Sequence, residues 1–268
     1  MILPSTIAGE ARDYISERLK ALAAEEDVRI LFAIESGSRA WGFPSADSDY
    51  DVRFVYIRPR AAYMSVRQSR DVIETPTLDD DILGVPLDLN GWDIRKALRL
   101  ALTSNPVLHE WLVSPIRYLG DDGVIAQLRT FAAATADRAV YRYHYDRLCR
   151  SAWTQMAEDP DKAIVKRYCY ALRPALMLRW LDHRDDLLPP MDVASLADGL
   201  DEATSNGLAE LFARKSSGGE KDAIPRVPVL DELISRQLAN MTPRPAKTQD
   251  TDMVEKADGI FAGLLGAR

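Results

Sequence analysis

The sequence has few of the residues that build disulfides or transition-metal sites. It contains two cysteines, Cys149 and Cys169, and three histidines, His109, His144 and His183. The cysteines form no Cys-x-x-Cys motif, and the histidines share no spacing that is typical of metal ligands. We therefore expect two buried, reduced thiols in a cytoplasmic protein rather than a disulfide, and histidines with structural or surface roles.

Long hydrophobic runs are also missing, although 47% of the residues are hydrophobic. The apolar runs are far too short to span a membrane, and residues 1–12 lack a basic region followed by an apolar core, so we expect no membrane partner and no secretory signal. The net charge of −7 and the pI near 5.1 argue against a large non-specific nucleic-acid surface, because such binding depends on neutralising phosphates. A local basic cleft remains compatible with this charge.

Two apolar runs of strand composition enclose the most informative stretch of the chain. They cover residues 28–34 and 50–57. Asp49 and Asp51 stand at the start of the second run, and on an extended chain both side chains leave the same face. Adjacent carboxylates repel each other unless a cation lies between them, and Mg²⁺ prefers such hard oxygen ligands. The pair therefore predicts a magnesium site with room for phosphate.

The segment between the two runs begins with Gly37 and Ser38, which end the first strand. A short helical turn is predicted from Arg39, so that Ser38 and Arg39 lie at its N-terminus, where free N–H groups and the helix dipole favour phosphate. Gly37 would let the backbone approach that phosphate closely. The pattern is not Gly-x-x-x-x-Gly-Lys-Ser/Thr, so it does not indicate a P-loop ATPase.

The order Gly37-Ser38, then Asp49-x-Asp51, resembles the polymerase-β-type nucleotidyltransferase superfamily. In that superfamily a third carboxylate follows on a neighbouring strand. We assign it to Asp88, inside a strand-like run over residues 82–89, in preference to Asp93, which is explained as the N-cap of the next helix. The resemblance implies that Asp49, Asp51 and Asp88 are the metal ligands and the catalytic residues.

Further segments resemble a narrower family, the predicted RNA-repair-pathway or RNA-ligase-associated nucleotidyltransferases. The matching segments are Gly91-Trp92-Asp93-Ile94-Arg95-Lys96-Ala97-Leu98, Ser104-Asn105-Pro106, Glu110-Trp111-Leu112 and Lys166-Arg167-Tyr168-Cys169-Tyr170-Ala171-Leu172-Arg173-Pro174. This resemblance covers most of the chain up to about Lys215. It implies the fold and the use of Mg²⁺ and an NTP, and it does not specify the acceptor.

The pattern along the chain predicts an α+β fold with two domains. A nucleotidyltransferase domain, a mixed sheet flanked by helices, is expected over residues 1–119, with helices at 7–25 and 94–103. No strand signal appears from Asp122 onward, so residues 120–268 are predicted to form an all-α domain that closes the nucleotide cleft. Its helices are predicted at 124–156, ended by Asp159-Pro160, then at 163–183, 203–215, 229–241 and, after a polar linker over 242–251, at 253–265.

One predicted helix of the second domain carries cations and aromatic rings at helical spacing. Lys166, Tyr170 and Arg173 share a face of this helix. The spacing alone favours a solvated stripe, whereas the family resemblance favours contacts with a triphosphate and a base. The predicted nucleotide-binding residues are therefore Gly37, Ser38, Arg39, Lys166, Tyr170 and Arg173.

The expected reaction is Mg²⁺-dependent transfer of NMP from an NTP to an acceptor hydroxyl, on RNA, protein or a small molecule, with release of pyrophosphate. Two Mg²⁺ or Mn²⁺ ions held by shared carboxylates would stabilise the attacking and leaving oxygens. The alternative is a non-catalytic nucleotide-binding or antitoxin-like partner protein on the same fold. Three converging carboxylates favour the enzyme, because a binding module gains nothing from them.

Two charged residues beside the motif have simpler expected roles. Arg53 follows Asp51 by two positions on the same strand face, and we expect it to balance the charge of the acids. Glu35 stands at the end of the first predicted strand, where an acid is commonly solvated.

Overall fold

The computed structural model describes residues 7–76, 78–156, 162–184, 189–218, 222–246 and 250–266. Its strands are β1 (Arg29–Glu35), β2 (Tyr50–Ile57), β3 (Val72–Glu74), β4 (Leu78–Asp79), β5 (Pro86–Asp93), β6 (Arg117–Gly120), β7 (Lys162–Ile164) and β8 (Ala223–Pro225). Its helices are α1 (Gly9–Glu25), α2 (Gly37–Trp41), α3 (Arg60–Tyr63), α4 (Ile94–Leu102), α5 (Pro106–Leu112), α6 (Asp122–Ala134), α7 (Arg138–Met156), α8 (Val165–His183), α9 (Val193–Leu196), α10 (Glu202–Ser217), α11 (Pro228–Gln237) and α12 (Thr251–Gly266). None of the helices in these ranges is long and apolar enough to cross a membrane.

Six strands form a mixed sheet. The strand order is β3-β5-β2-β1-β6, and β4 also pairs with β5. β1 and β2 are antiparallel, whereas β2 and β5 are parallel. Together with the flanking helices and the helical second half of the chain, this sheet confirms the predicted α+β fold class.

Both faces of the sheet are buried, because the strand side chains alternate between two hydrophobic clusters. Phe54 and Tyr56 face the cluster that contains Ile15 and Leu19 of α1. Val55 and Ile57 face the other cluster, to which α4, α5, α6 and α12 contribute. This double burial explains why β2 reads as a nearly continuous apolar run, as strands covered on both sides do.

The chain divides into two compact units. One comprises residues 6–37, 49–136 and 247–268, and the other comprises residues 1–5, 38–48 and 137–246. These units do not follow the predicted boundary between residues 119 and 120: α6 and α12 belong to the sheet unit, and residues 38–48 belong to the helical unit. The predicted domains 1–119 and 120–268, as functional parts of the protein, stay a prediction.

The helical unit has its own buried interior. Its most buried large side chains include three tyrosines, Tyr141, Tyr145 and Tyr168. Cys149 and Cys169 are buried and are not joined in a disulfide, as expected. Burial raises the pKa of the Cys149 thiol to about 12, so this thiol stays protonated at neutral pH. The structure therefore gives it a packing role and no nucleophilic one.

Several elements differ from the sequence prediction. The helix predicted over residues 124–156 is two helices, α6 and α7, because α6 ends at Ala134, with Thr135 as its C-cap residue, and α7 begins at Arg138. The strand predicted over residues 82–89 is β5, which begins later and runs to Asp93. The short ladder of β7 and β8 and the edge strand β6 were not predicted, since each is short and lacks an alternating pattern. The predicted break at Asp159-Pro160 lies outside the described residues.

Candidate active site

The sheet brings two of the predicted acids together on adjacent parallel strands. Asp51 of β2 is the direct register partner of Asp88 of β5. Direct partners on parallel strands point to the same face, so the two carboxylates project from the same side of the sheet. Both side chains are partly exposed, at 28% for Asp51 and 24% for Asp88. This pairing is the centre of the candidate site.

A guanidinium group lies between these two carboxylates. The Nη2 atom of Arg53 donates to Asp88 Oδ2 at 2.8 Å and to Asp51 Oδ1 at 3.1 Å. Its Nη1 atom donates to the carbonyls of Val52 and Asp88. The expectation that Arg53 balances the charge of the acids is confirmed, and charge-assisted bonds to both strands fix its position.

Gly37 lies against the Asp51 carboxylate. Its φ of +56° is in the left-handed region, and a Cβ at this position would lie 1.9 Å from Asp51 Oδ2. Glycine is therefore required here for two reasons: the backbone has a positive φ, and a side chain would clash with the Asp51 carboxylate. The Gly-Ser motif and the Asp-x-Asp motif are in direct contact at this point.

Glu35 positions the backbone of Asp51, and this role was not predicted from the sequence. Its side chain is fully buried, so the expectation of a solvated strand-end acid is wrong. The Glu35 carboxylate accepts hydrogen bonds from the backbone N–H of Asp51 and from the hydroxyl of Tyr118, and the N–H of Ser36 donates to the Asp51 carbonyl. The burial of Glu35 depends on Tyr118, a partner far away in the sequence, and local pattern gives no signal of it.

Asp49 immediately precedes β2, at the end of a closed loop over residues 38–48. Arg39 Nη2 donates to the carbonyl of Ser48 at 2.6 Å. The hydroxyls of Ser38, Ser45 and Ser48 form one buried cluster, in which Ser38 Oγ lies 3.1 Å from Ser48 Oγ. The side chains of Ser38 and Arg39 are thus engaged in holding the peptide that precedes Asp49, and their predicted contact with phosphate stays a prediction.

Asp93 is an N-cap, as the sequence analysis expected. Its Oδ1 atom accepts from the N–H of Arg95, and its Oδ2 atom accepts from the hydroxyl of Tyr63. Burial raises the pKa of that tyrosine above its ordinary value. Asp93 pairs in register with Tyr56, five positions beyond the Asp51–Asp88 pair, which corresponds to roughly 16 Å along the strand. The structure therefore groups Asp88, and not Asp93, with Asp51.

The three predicted binding residues of α8 lie in the helical unit and differ in burial. Lys166 is half-buried and Tyr170 is exposed. Arg173 is 5% exposed, and its guanidinium donates to the carbonyl of Met191 and lies 4.5 Å from the ring centroid of Trp41. Arg173 thus packs inside this unit, and the contribution of all three residues to nucleotide binding stays a prediction.

Trp41 and Phe43 anchor the 38–48 loop within the helical unit. The ring of Trp41 meets the edge of Tyr170 at 5.4 Å, and Phe43 stacks on Phe212 at 5.2 Å. Lys215, which is 1% exposed, lies 5.4 Å from the centroid of Phe43. Aromatic and cation–π contacts of this kind hold the loop to α8 and α10.

The chemistry of the site suits a divalent metal that arrives with phosphate. Among the described residues, no three aspartate, glutamate, histidine or cysteine side chains form a group that could hold a metal. The role of Asp49 as a further ligand stays a prediction. Mg²⁺, however, is commonly held by one or two carboxylates together with substrate phosphates and water, and Asp51 and Asp88 already converge on one cation, the Arg53 guanidinium. The residues present fit such an ion.

Three comparisons relate the chain to known proteins. The model of the RNA repair pathway DNA polymerase beta family matches residues 11–262. The uncharacterized protein YcgL of Bacillus subtilis (strain 168) is 36% identical over 255 residues, which covers 94% of this chain and 95% of the relative. A crystal structure of a nucleotidyltransferase-like protein from Exiguobacterium sibiricum 255-15 matches 95% of this chain and 80% of its own, at 10% identity and a TM-score of 0.31. At this TM-score the structural similarity supports no conclusion about this chain.

The contact between Gly37 and Asp51 yields a stability prediction. Gly37→Ala and Gly42→Ala both place an alanine at positive φ, at +56° and +92°, but a Cβ meets nothing within 4 Å at Gly42. We expect Gly42→Ala to cost about 1–2 kcal/mol of unfolding free energy from backbone strain, and Gly37→Ala to cost about 1–3 kcal/mol more from overpacking. Urea denaturation measures both. Equal losses would mean that the Asp51 carboxylate is not fixed against Gly37.

Proposed function

The chain belongs to the RNA repair pathway DNA polymerase beta family, and from this premise we propose that it is a nucleotidyltransferase that moves NMP from an NTP to an acceptor hydroxyl and releases pyrophosphate. Family membership supports a nucleotidyltransferase-type function. The observation that carries the finer proposal is the pairing of Asp51 with Asp88 across two parallel strands, beside Gly37.

Asp51 and Asp88 would hold Mg²⁺, with Asp49 as a further ligand, and Mn²⁺ would serve in its place. The bound ions would supply Lewis-acid stabilisation of the attacking and leaving oxygens in an in-line displacement at the α-phosphorus. The two carboxylates satisfy the preference of these ions for hard oxygen ligands.

The remaining residues of the site prepare these acids for their task. Glu35 and Ser36 fix the backbone of Asp51 by one hydrogen bond to its N–H and one from an N–H to its carbonyl. Arg53 holds the two carboxylates in register in the protein without nucleotide. Gly37 has no side chain, so it would let phosphate approach the backbone next to Asp51 closely. Asp88 would also help to accept the proton of the attacking hydroxyl.

The acceptor that we propose is an RNA hydroxyl. The description of the family places it in an RNA repair pathway, and this supports RNA over a protein or small-molecule acceptor. The acidic net charge of −7 argues that RNA binding is local to the site, because a broad phosphate-binding surface requires many more cations than acids.

Replacing the acids tests the reaction. We expect Asp51→Asn and Asp88→Asn each to reduce label transfer from α-³²P NTP to total RNA by at least about a hundredfold, since each removes a charge that the transition state requires. Asp93→Asn is the matched control, because asparagine also caps helices well, and its turnover should stay within about twofold of the wild type. Circular dichroism melting verifies that every variant is folded.

Two results would contradict the proposal. Near-normal transfer by Asp51→Asn or Asp88→Asn would remove the catalytic assignment. Binding of NTP by the wild type without transfer, across all four NTPs and with RNA, protein and small-molecule acceptors, would support the non-catalytic alternative instead.

The α8 residues have a separate test in nucleotide affinity. If Lys166 contacts the triphosphate, Lys166→Ala should weaken ATP binding roughly tenfold or more and leave adenosine binding unchanged. If Tyr170 stacks on the base, Tyr170→Ala should weaken ATP, AMP and adenosine alike. Arg167→Ala, a neighbouring exposed cation on α8, is the control. Calorimetric titration measures these affinities, and equal loss of ATP and adenosine in Lys166→Ala would exclude a phosphate contact.

A further inference from the structure

The sheet unit contains a cavity at the end of the sheet away from the acids. It has a volume of about 660 Å³ and lies where β1 begins, β2 ends and the last turn of α12 packs. Arg58, on its wall, is seven positions along the chain from Asp51, roughly 23 Å in extended conformation. A volume of this size is typical of pockets that bind small molecules, so the cavity is large enough for more than a single ion.

The charged groups of the lining are mainly cationic. Arg29, Arg58 and Arg60 line the cavity, and Asp27 is the one carboxylate among its described lining residues. Arg29 donates to the carbonyl of Leu264 at 3.0 Å, which ties the last turn of α12 to the start of β1. Arg60 is exposed, at the first position of α3. All three arginines therefore line one cavity.

Arg58 is held rigidly at this cavity. Its side chain is 14% exposed, Nη1 donates to the carbonyl of Glu26, and Nη2 lies 3.6 Å from the Glu26 carboxylate. The guanidinium also lies 5.3 Å from the ring centroid of Tyr56. Its buried Nε atom has no hydrogen-bond partner among the described residues. These contacts hold the guanidinium at the cavity wall, and a ligand in the cavity would reach its Nη atoms and not the buried Nε.

The rest of the lining is apolar. Ile57 and Leu264 are buried, and Val28 and Leu265 are half-buried. Arginines beside apolar walls suit a ligand with a phosphate group and an apolar part. Guanidinium groups bind phosphate in a bidentate manner, and the apolar side chains would pack against the rest of the ligand.

We propose that this cavity is a second ligand site that binds a nucleoside phosphate, with Arg58 and Arg60 contacting the phosphate. The site is independent of the transfer reaction, since it shares no residue with the Asp51–Asp88 pair and needs no metal. A small nucleotide is favoured over RNA because the space is a pocket with three arginines, whereas RNA backbones are followed by long series of cations.

The test is calorimetric titration of the full-length protein in EDTA, with ADP, pyrophosphate, adenosine and a single-stranded RNA oligonucleotide as separate probes. We expect ADP and pyrophosphate to bind and adenosine to bind more weakly. Arg60→Ala and Arg58→Gln should each weaken ADP binding roughly ten- to a hundredfold, the effect of one lost charge-assisted contact. Arg60 is exposed, so Arg60→Ala keeps the test valid even if Arg58→Gln unfolds the protein.

The control variants locate the binding. Arg99→Ala removes another exposed cation of the sheet unit, one that pairs with Asp71 at 3.4 Å, and should leave ADP affinity unchanged. Absence of ADP binding at millimolar concentration, or equal affinity in the wild type and Arg60→Ala, would overturn the proposal. Arg60-dependent binding of the RNA oligonucleotide that ADP does not displace would replace the nucleotide by RNA and overturn it as well.

Discussion

Repulsion between two neighbouring carboxylates is the physical constraint on which the site depends. Asp51 and Asp88 are direct partners on parallel strands, and two like charges at that separation disfavour each other unless a cation joins them. In the structure that cation is the guanidinium of Arg53, which bonds to both. The bonds to Arg53 fix the positions of both carboxylates, and under the proposed function these carboxylates would receive a metal ion together with the nucleotide. This preorganisation is what a two-strand arrangement provides and a flexible loop does not.

The chain supports this pair through contacts that tie each motif to the next. Glu35, buried at the end of β1, accepts from the backbone of Asp51, and Gly37 follows it at a conformation that only glycine adopts without strain. The loop from Ser38 to Ser48 is closed by Arg39 and by three buried hydroxyls, and its aromatic rings pack in the helical unit. The candidate acids and the residues that close the loop therefore belong to different compact units, although they are neighbours in the sequence.

Local pattern predicted the strands, the caps and the spacing of the acids, because those features depend on neighbours in the chain. Four features are determined by residues that lie within a few positions of one another. They are β1, β2, the N-cap at Asp93 and the charge balance at Arg53. Three other features depend on partners far away in the sequence, so the hydrophobic periodicity of the chain does not predict them. They are the burial of Glu35, the packing of Arg173 on Trp41 and the edge strand β6. The choice of Asp88 over Asp93 rests on the superfamily resemblance, which puts the third carboxylate on a neighbouring strand. The parallel register of β2 and β5, a long-range property, is the physical reason that Asp88 lies beside Asp51. The cavity at Arg58 had no sequence signal, since its wall combines the start of β1 with the last turn of α12.

Binding of Mn²⁺ in the presence of a non-hydrolysable NTP, followed by electron paramagnetic resonance, tests most directly whether the Asp51–Asp88 pair holds the metal. The spectrum of the Mn²⁺–nucleotide complex changes when protein carboxylates also coordinate the ion, and it is independent of turnover, so it separates loss of metal binding from loss of catalysis. We expect the wild type and Asp93→Asn to change the spectrum of this complex, and the Asp51→Asn and Asp88→Asn double variant to leave it as it is without protein. An equal change with the double variant and the wild type would contradict the account, because the ion would then be held elsewhere.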